Sequence, residues 1–254
     1  MDKNQAKEAF EKYVSNFDCT NPQIHLKIDH TYRVADISED IASSVGKTSA
    51  DLCWLIGLLH DIGRFEQLKR YGTFSDAESI DHAEFGADIL FNDGLIDKFL
   101  LQPLAGMTTD QEKSIIELAI RSHNKYRPPD DLTSSQAYYC NSIRDADKID
   151  IFRVICETPY ELRMSRGVDK SMEPARDEIM DSVKSHKDVK KVPNMTTFES
   201  TIMGCAMAFG IVFERSKKII RSQGYLKQML SYEPESMVQK EQMNLLREEL
   251  ADLC

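Results

Sequence analysis

Apolar positions recur along this chain with the period of an α-helix rather than that of a β-strand. Leu52, Leu55, Ile56 and Leu59 fall at i, i+3, i+4 and i+7, so they share one face of a helix. We find no segment in which apolar and polar residues alternate with the enrichment in β-branched side chains that strands favour. The pattern therefore predicts an all-α protein.

The same periodicity, with capping and breaking signals, divides the chain into helices. Thr-Ser-Ala-Asp at 48–51 and Thr-Asp-Gln-Glu at 109–112 predict capping boxes. Gly46 is a predicted C-cap, and Gly224 is predicted to end a helix. The segment 65–75, rich in Arg, Lys and Tyr, is predicted to be a connector. The predicted helices are 3–17, 24–45, a helix opened at 48–51 that ends in His60-Asp61, 76–92, 109–123, 134–157, a solvated helix at 174–186, 196–221 and 235–252.

Polar residues interrupt several of these apolar faces. His30 falls on one face with Val34 and Ile41, and Asp147 lies in a stripe with Ile143 and Ile151. A buried carboxylate is costly unless a cation or several hydrogen bonds compensate it. Mixed imidazole and carboxylate ligands suit Mn, Fe, Co, Ni or Zn, and suit Mg less well. The residues predicted to point inward are His30, His60, Asp61, His82, His123 and Asp147, whereas His25 and His186 are predicted to be solvated.

Composition narrows the class of protein. The 254 residues carry a formal net charge of −10, which argues against nucleic acid as a partner but leaves room for a phosphorylated small molecule. The six cysteines form no Cys-x-x-Cys pair, which is typical of a reduced, cytoplasmic protein. The N-terminus lacks the apolar region of a secretory signal, and no apolar run is long enough to span a membrane.

The order of the inward residues resembles a known family. A His is followed by a His-Asp pair that ends an apolar helix, in the sequence His-Asp-Ile-Gly at 60–63, and then by an Asp within Asp-Ala-Asp-Lys-Ile-Asp at 145–150. This arrangement resembles the HD-domain superfamily of metal-dependent phosphohydrolases. The resemblance implies an HD-domain helical bundle with additional C-terminal helices. We expect one domain over 1–254, with the HD core at about 25–157 and an extension at about 158–254.

The resemblance also implies roles for these residues. His30, His60, Asp61 and Asp147 match the superfamily's shared metal ligands. His82 and His123 match either the ligands of a second metal, with Asp61 bridging the two ions, or side chains that contact the substrate phosphate. Asp61 is also expected to orient or deprotonate the attacking water, so it counts as catalytic.

Cations near these motifs are candidates for contact with phosphate. Arg64, one turn past Asp61, and Lys148, beside Asp147, are predicted to bind the substrate and to stabilise developing charge. For Lys125 and Arg127 we favour a solvated surface role. Tyr71 and Phe74 could stack on a base or line the core.

The expected function is therefore hydrolysis of a phosphate mono- or diester by metal-activated water, with a nucleotide as one candidate substrate. One or two divalent transition-metal ions are the expected cofactor. The sequence lacks the signatures of three subfamilies. His60-Asp61 is not followed by the Glu-Asp pair of Rel/Spo-type guanosine-tetraphosphate hydrolases, and the Gly-Tyr-Pro signature of HD-GYP phosphodiesterases is missing. The additional His that deoxynucleotide triphosphohydrolases usually carry close after His-Asp is also missing, since no His occurs between His60 and His82. Two alternatives stay open, a di-iron oxygenase on the same scaffold and a sensor that binds metal or nucleotide without turnover. A homo-oligomer is also left open.

Overall fold

The structure is a computed structural model that describes residues 3–45, 49–159 and 172–254. Within these residues the chain forms helices joined by loops and contains no β-strand, so the expected all-α fold is confirmed. Contacts between Cα atoms divide the chain into two compact units, Met1–Asp147 and Lys148–Cys254, which are described separately. None of the helices in the described residues is both long and apolar enough to cross a membrane.

The first unit contains the predicted inward residues. Its helices are α1 (Lys3–Val14), α2 (Pro22–Ser44), α3 (Ala50–Leu59), α4 (Ile62–Tyr71), α5 (His82–Phe91), α6 (Thr109–Ser122) and the first part of α7 (Ser134–Glu157).

Two glycines allow helices of this unit to approach closely. A Cβ atom added at Gly57 in α3 would lie 2.6 Å from the Cα atom of Ala35 in α2. A Cβ atom added at Gly63 in α4 would lie 2.4 Å from the carbonyl oxygen of His82 at the start of α5. These separations are shorter than any real Cβ contact, so both crossings require glycine. The second crossing holds the residues around Asp61 against the start of α5.

The segment 65–75 was predicted to be a connector, and this prediction was wrong because most of the segment is helical. α4 begins directly after Asp61 and continues to Tyr71, where Gly72 ends it with a φ of +67°. Phe65 and Leu68 are buried one turn apart and anchor the helix, while Lys69 and Arg70 in its last turn are exposed. The Arg and Lys content therefore marked the solvated face of a helix and not a loop.

The second unit contains shorter helices than predicted. They are α8 (Asp177–Lys184), α9 (Thr197–Ala206), α10 (Glu214–Gln223), α11 (Tyr225–Leu230) and α12 (Met237–Glu249). The predicted helix at 196–221 is broken by a short 3₁₀ segment, Met207–Gly210, and by an extended stretch after it. α8 is not solvated throughout, because its residues Ile179, Met180 and Val183 are buried.

Most predicted helix ends shift by a few residues. Thr108, not Thr109, caps α6 in a capping box with Gln111. Ser49 caps α3 without a side-chain hydrogen bond, and Gly46 lies outside the described residues. The predicted helix at 76–92 begins only at His82, since Asp81 accepts hydrogen bonds from the first free backbone N–H groups of α5. Gly224 ends α10 as predicted, with a φ of +74°.

Candidate metal centre

The fold brings the ends of several helices to one buried point. His60 directly follows α3 and Asp61 directly precedes α4, so the junction between two helices supplies both side chains. His82 is the first residue of α5, and His123 directly follows α6. The residues that meet there are the six predicted to point inward, His30, His60, Asp61, His82, His123 and Asp147.

Asp61 lies at the centre of this cluster, and its two oxygens face different histidine pairs. The Oδ2 atom lies 3.7 Å from Nε2 of His30 and 3.5 Å from Nε2 of His60. The Oδ1 atom lies 3.3 Å from Nε2 of His82 and 3.9 Å from Nε2 of His123. The carboxylate therefore separates two half-sites, which we call the His30/His60 half-site and the His82/His123 half-site.

Asp147, from α7, joins the first of these half-sites. Its Oδ1 atom lies 3.1 Å from Nε2 of His30 and 3.8 Å from Nε2 of His60. Three groups in the cluster have ligand atoms within 4.8 Å of one another and could hold a metal ion. These groups are His30, His60 and Asp61; His60, His123 and Asp147; and Asp61, His82 and His123.

Backbone carbonyls fix the orientation of two of the rings. Nδ1 of His60 donates to the carbonyl oxygen of Gly57 at 2.7 Å, and Nδ1 of His123 donates to that of Ile120 at 2.7 Å. A carbonyl can only accept, so each Nδ1 carries the proton and each neutral ring keeps its lone pair at Nε2. Nε2 of His60 is buried and has no hydrogen-bond partner among the described residues. Its lone pair is available to a cation.

The His82/His123 half-site also presents nitrogen lone pairs that can bind a cation. The two Nε2 atoms lie 3.0 Å apart, and Nδ1 of His82 donates to Oδ2 of Asp76 at 2.7 Å. Both Nε2 atoms of the neutral rings therefore carry lone pairs, which repel each other unless a cation lies between them. Two nitrogens bound to one ion at about 2.1 Å and at right angles are ~3.0 Å apart. The donor set fits a divalent transition metal.

The ionisation states also suit metal binding. Burial lowers the pKa of His82 and of His123 to about 4, and burial likewise lowers the pKa of His60. These imidazoles are therefore uncharged at neutral pH, which is the form that binds a metal. Burial by itself would raise the pKa of Asp61, but the positive charges of Lys27 and Arg64 hold this pKa well below its usual range. Asp61 is an ionised carboxylate.

Asp76, which the sequence analysis missed, supports the His82/His123 half-site from behind. Its Oδ2 atom accepts from Nδ1 of His82. Its Oδ1 atom accepts from Arg64 at 2.8 Å and from the buried amide of Gln67 at 2.9 Å. A carboxylate behind a ligating imidazole fixes its tautomer and raises its basicity. We assign Asp76 the role of orienting His82.

Replacing Asp76 by Asn is expected to weaken metal binding at the His82/His123 half-site about 10- to 100-fold, because the ring loses its charged acceptor. Titration with Mn²⁺ by calorimetry measures the affinity of each half-site. Asp88→Asn, on the exposed face of α5 where Asp88 pairs with Arg121, is the matched control and should bind as the wild type does. If the Mn²⁺ affinity of the His82/His123 half-site were unchanged in Asp76→Asn, Asp76 would not be needed to orient His82.

The predicted cation Arg64 is largely used inside the protein. Its Nε atom lies 3.5 Å from Oδ1 of Asp61. Its NH1 atom donates to Gln67 at 2.9 Å, to the carbonyl oxygen of Phe74 and to Asp76 at 2.8 Å. Arg64 therefore contacts two carboxylates, Asp61 within the cluster and Asp76 behind it.

Ion pairs also occupy Lys148, the other cation predicted to bind the substrate, and Lys125, which was predicted to be a solvated surface charge. Lys148, described in the second unit, is buried and forms an ion pair with Asp188 at 2.7 Å. Lys125 pairs with Asp81 at 2.7 Å and with Glu84 at 3.2 Å, and its side chain is partly exposed.

Lys27 is a cation that the sequence analysis did not single out. It lies in α2 one turn before His30, and its Nζ atom donates to Oδ2 of Asp61 at 2.7 Å. The spacing of three residues from His30 is the signal that could have found it. Of the two candidate stacking residues, Phe74 is buried and Tyr71 is half exposed.

The two histidines predicted to be solvated lie outside the cluster, and both side chains are largely exposed. His25 lies 3.2 Å from Asp29 on α2. In the second unit His186 pairs with Glu249 and stacks on Phe209.

Comparison with known proteins agrees with this geometry. Comparison with curated proteins gave no significant match, and comparison with solved structures gave none either. Among protein-family models, the one described as "HD domain" matches residues 28–152, a range that contains all six residues of the cluster. Over these residues the chain belongs to the HD-domain family.

Proposed function

We propose that this protein is a metal-dependent phosphohydrolase that cleaves a phosphate mono- or diester. The observation that carries the proposal is the arrangement around Asp61, whose two oxygens each face a separate pair of buried imidazoles. HD-domain membership supports the same class of activity. A nucleotide is one candidate substrate.

In this proposal His30, His60, Asp61 and Asp147 hold one ion, and Asp61, His82 and His123 hold a second. Such ions supply Lewis-acid stabilisation of a phosphoryl group and lower the pKa of bound water. Mn, Fe, Co, Ni and Zn suit this mixture of nitrogen and oxygen donors better than Mg does.

The protein's own side chains provide the positioning. Arg64 contacts Oδ1 and Lys27 contacts Oδ2 of Asp61, so the plane of this carboxylate is fixed from both ends. Asp61 is the group proposed to orient the attacking water or to accept its proton. Positioning of reacting groups and preorganised charge are the main contributions that proteins make to phosphoryl transfer.

Arg64 and Lys148 are also proposed to contact the substrate, but both already have partners within the protein. Arg64 offers positive charge close to Asp61 while its NH1 group stays bound to internal acceptors. Lys148 would have to leave Asp188 before it could bind phosphate.

The proposal is tested by purifying the protein without chelator, measuring its metal content, and assaying phosphomonoesters and phosphodiesters with Mn²⁺, Co²⁺, Ni²⁺ and Mg²⁺. We expect release of phosphate or an alcohol with at least one transition metal. His60→Ala should fall below about 1% of the wild-type rate, because several kcal/mol of metal stabilisation is lost. His25→Ala, which removes an exposed imidazole, should keep the wild-type rate. Bound iron with substrate-dependent oxygen uptake would instead indicate the oxygenase, and nucleotide binding without turnover would indicate a sensor.

A further inference from the structure

We propose that Lys27 binds the phosphate group of the substrate directly. This inference rests on the proposed function and adds to it a residue that contacts the substrate. The geometry at Asp61 points to Lys27, since its ammonium group lies on the same carboxylate that joins the two half-sites.

The ammonium group of Lys27 lies beside the His30/His60 half-site. Its Nζ atom lies 2.7 Å from Oδ2 of Asp61, and the same oxygen faces His30 and His60 at 3.7 and 3.5 Å. A phosphate oxygen held near this oxygen atom would also lie near the ammonium group. Opposite charges that are a few ångströms apart in a partly buried site attract more strongly than they would in water.

The ammonium group of Lys27 has more N–H donors than its contact with Asp61 uses. An ammonium group has three N–H donors, and Asp61 is the carboxylate partner that Lys27 has among the described residues. Donors therefore remain for a second acceptor. A cation–π contact steadies the ammonium group, because Nζ lies 5.7 Å from the centre of the Phe74 ring.

Lys27 is accessible to a ligand from solvent. The side chain of Lys27 is 14% exposed, so it combines a buried setting with contact to solvent through which a ligand can arrive. Arg64, which was predicted to bind the substrate, donates to several acceptors inside the protein. Lys125, which was predicted to be solvated, is shared between Asp81 and Glu84.

A purely structural role for Lys27 makes different predictions. If Lys27 only neutralises Asp61, its loss changes metal affinity and stability but leaves the affinity of the metal-loaded protein for phosphate unchanged. If it binds the substrate, its loss weakens phosphate binding even when the ions remain bound. The two roles are therefore separated by titrating the metal and the phosphate independently.

The test is calorimetric titration of the full chain, first with Mn²⁺ alone and then, after loading, with inorganic phosphate and with dimethyl phosphate. We expect Lys27→Met to weaken phosphate binding at least about tenfold, as befits a lost hydrogen bond to a charged group, while Mn²⁺ still binds. Lys27→Arg keeps the charge and should restore most of the affinity. Lys113→Met removes an ammonium that pairs with Asp97 outside the cluster, and should bind phosphate as the wild type does. Tighter binding of inorganic phosphate than of dimethyl phosphate would identify a terminal phosphate as the preferred group, and the reverse would identify a diester.

An unchanged phosphate affinity in Mn²⁺-loaded Lys27→Met would overturn the proposal. If Lys27→Met does not fold, Lys27→Gln replaces it, because glutamine keeps a donor towards Asp61 without the charge. An unchanged phosphate affinity in Mn²⁺-loaded Lys27→Gln would likewise overturn the proposal. Phosphate binding that depends on Lys27 in a protein that hydrolyses no phosphoester would support the binding residue and contradict the proposed hydrolase. Hydrolysis whose KM and kcat are both unchanged in the Lys27 variants would support the proposed hydrolase and contradict the role of Lys27 in binding phosphate.

Discussion

Asp61→Asn is expected to abolish binding of both ions and to reduce hydrolysis to background. Each oxygen of Asp61 faces one histidine pair, so a single change removes an anionic donor from both half-sites. An amide is a weaker ligand than a carboxylate, and its NH₂ group presents hydrogens where one of the imidazole lone pairs would point. Metal analysis of the purified variant, together with the assay of released phosphate, measures the effect.

The control for this variant is Asp29→Asn, which removes a half-exposed carboxylate from α2 and should keep the wild-type metal content. If Asp61→Asn lost one ion and fully retained the other, the result would contradict the proposal that Asp61 serves both half-sites. It would mean that one histidine pair and Asp147 suffice for a site without Asp61.

Gly63→Ala is expected to destabilise the fold by about 3 kcal/mol, near the upper end of what overpacking a buried position costs. The new Cβ atom would lie 2.4 Å from the carbonyl oxygen of His82 and 2.7 Å from the backbone nitrogen of Gly86, so two backbones would have to separate. Separation of α4 from α5 would also move His82 away from Asp61. Urea unfolding measures the loss, and the Mn²⁺ titration measures the change at the His82/His123 half-site.

Gly204→Ala provides the comparison for this result. Its Cβ atom would meet only the ends of flexible side chains, Met229 at 3.1 Å and Ile155 at 3.4 Å. A helix favours Ala over Gly by up to ~1 kcal/mol, so this variant should be close to neutral or slightly stabilised. If Gly63→Ala behaved like Gly204→Ala, the close crossing of α4 and α5 would not be a requirement of the fold.

The sequence predicted the cluster because its members are anomalies in a regular pattern. A helix that is apolar on one face makes an inward His or Asp visible without knowledge of its neighbours in space. The pattern does not reveal which oxygen of Asp61 faces which imidazole, since this depends on how α4 and α5 cross. That crossing depends on Gly63 and Gly86, whose packing role is not visible in periodicity.

The supporting residues were missed for a related reason. Asp76 lies in a short 3₁₀ segment between α4 and α5, where no periodic pattern makes a carboxylate stand out. Lys27 is one of several charged residues on a long helix, so composition alone does not distinguish it. The helical nature of 62–71 was missed because Lys69, Arg70 and Tyr71 give its end the composition of a connector, although Phe65 and Leu68 are buried and anchor the helix.

The central claim is that four imidazoles and two carboxylates hold a pair of divalent ions, with Asp61 between them. Anomalous diffraction from crystals grown with Mn²⁺ tests this most directly. We predict two anomalous peaks, one in contact with Oδ2 of Asp61 and the His30/His60 half-site, and one in contact with Oδ1 and the His82/His123 half-site. Crystals grown at saturating Mn²⁺ that show no peak within coordination distance of Asp61 would contradict the account.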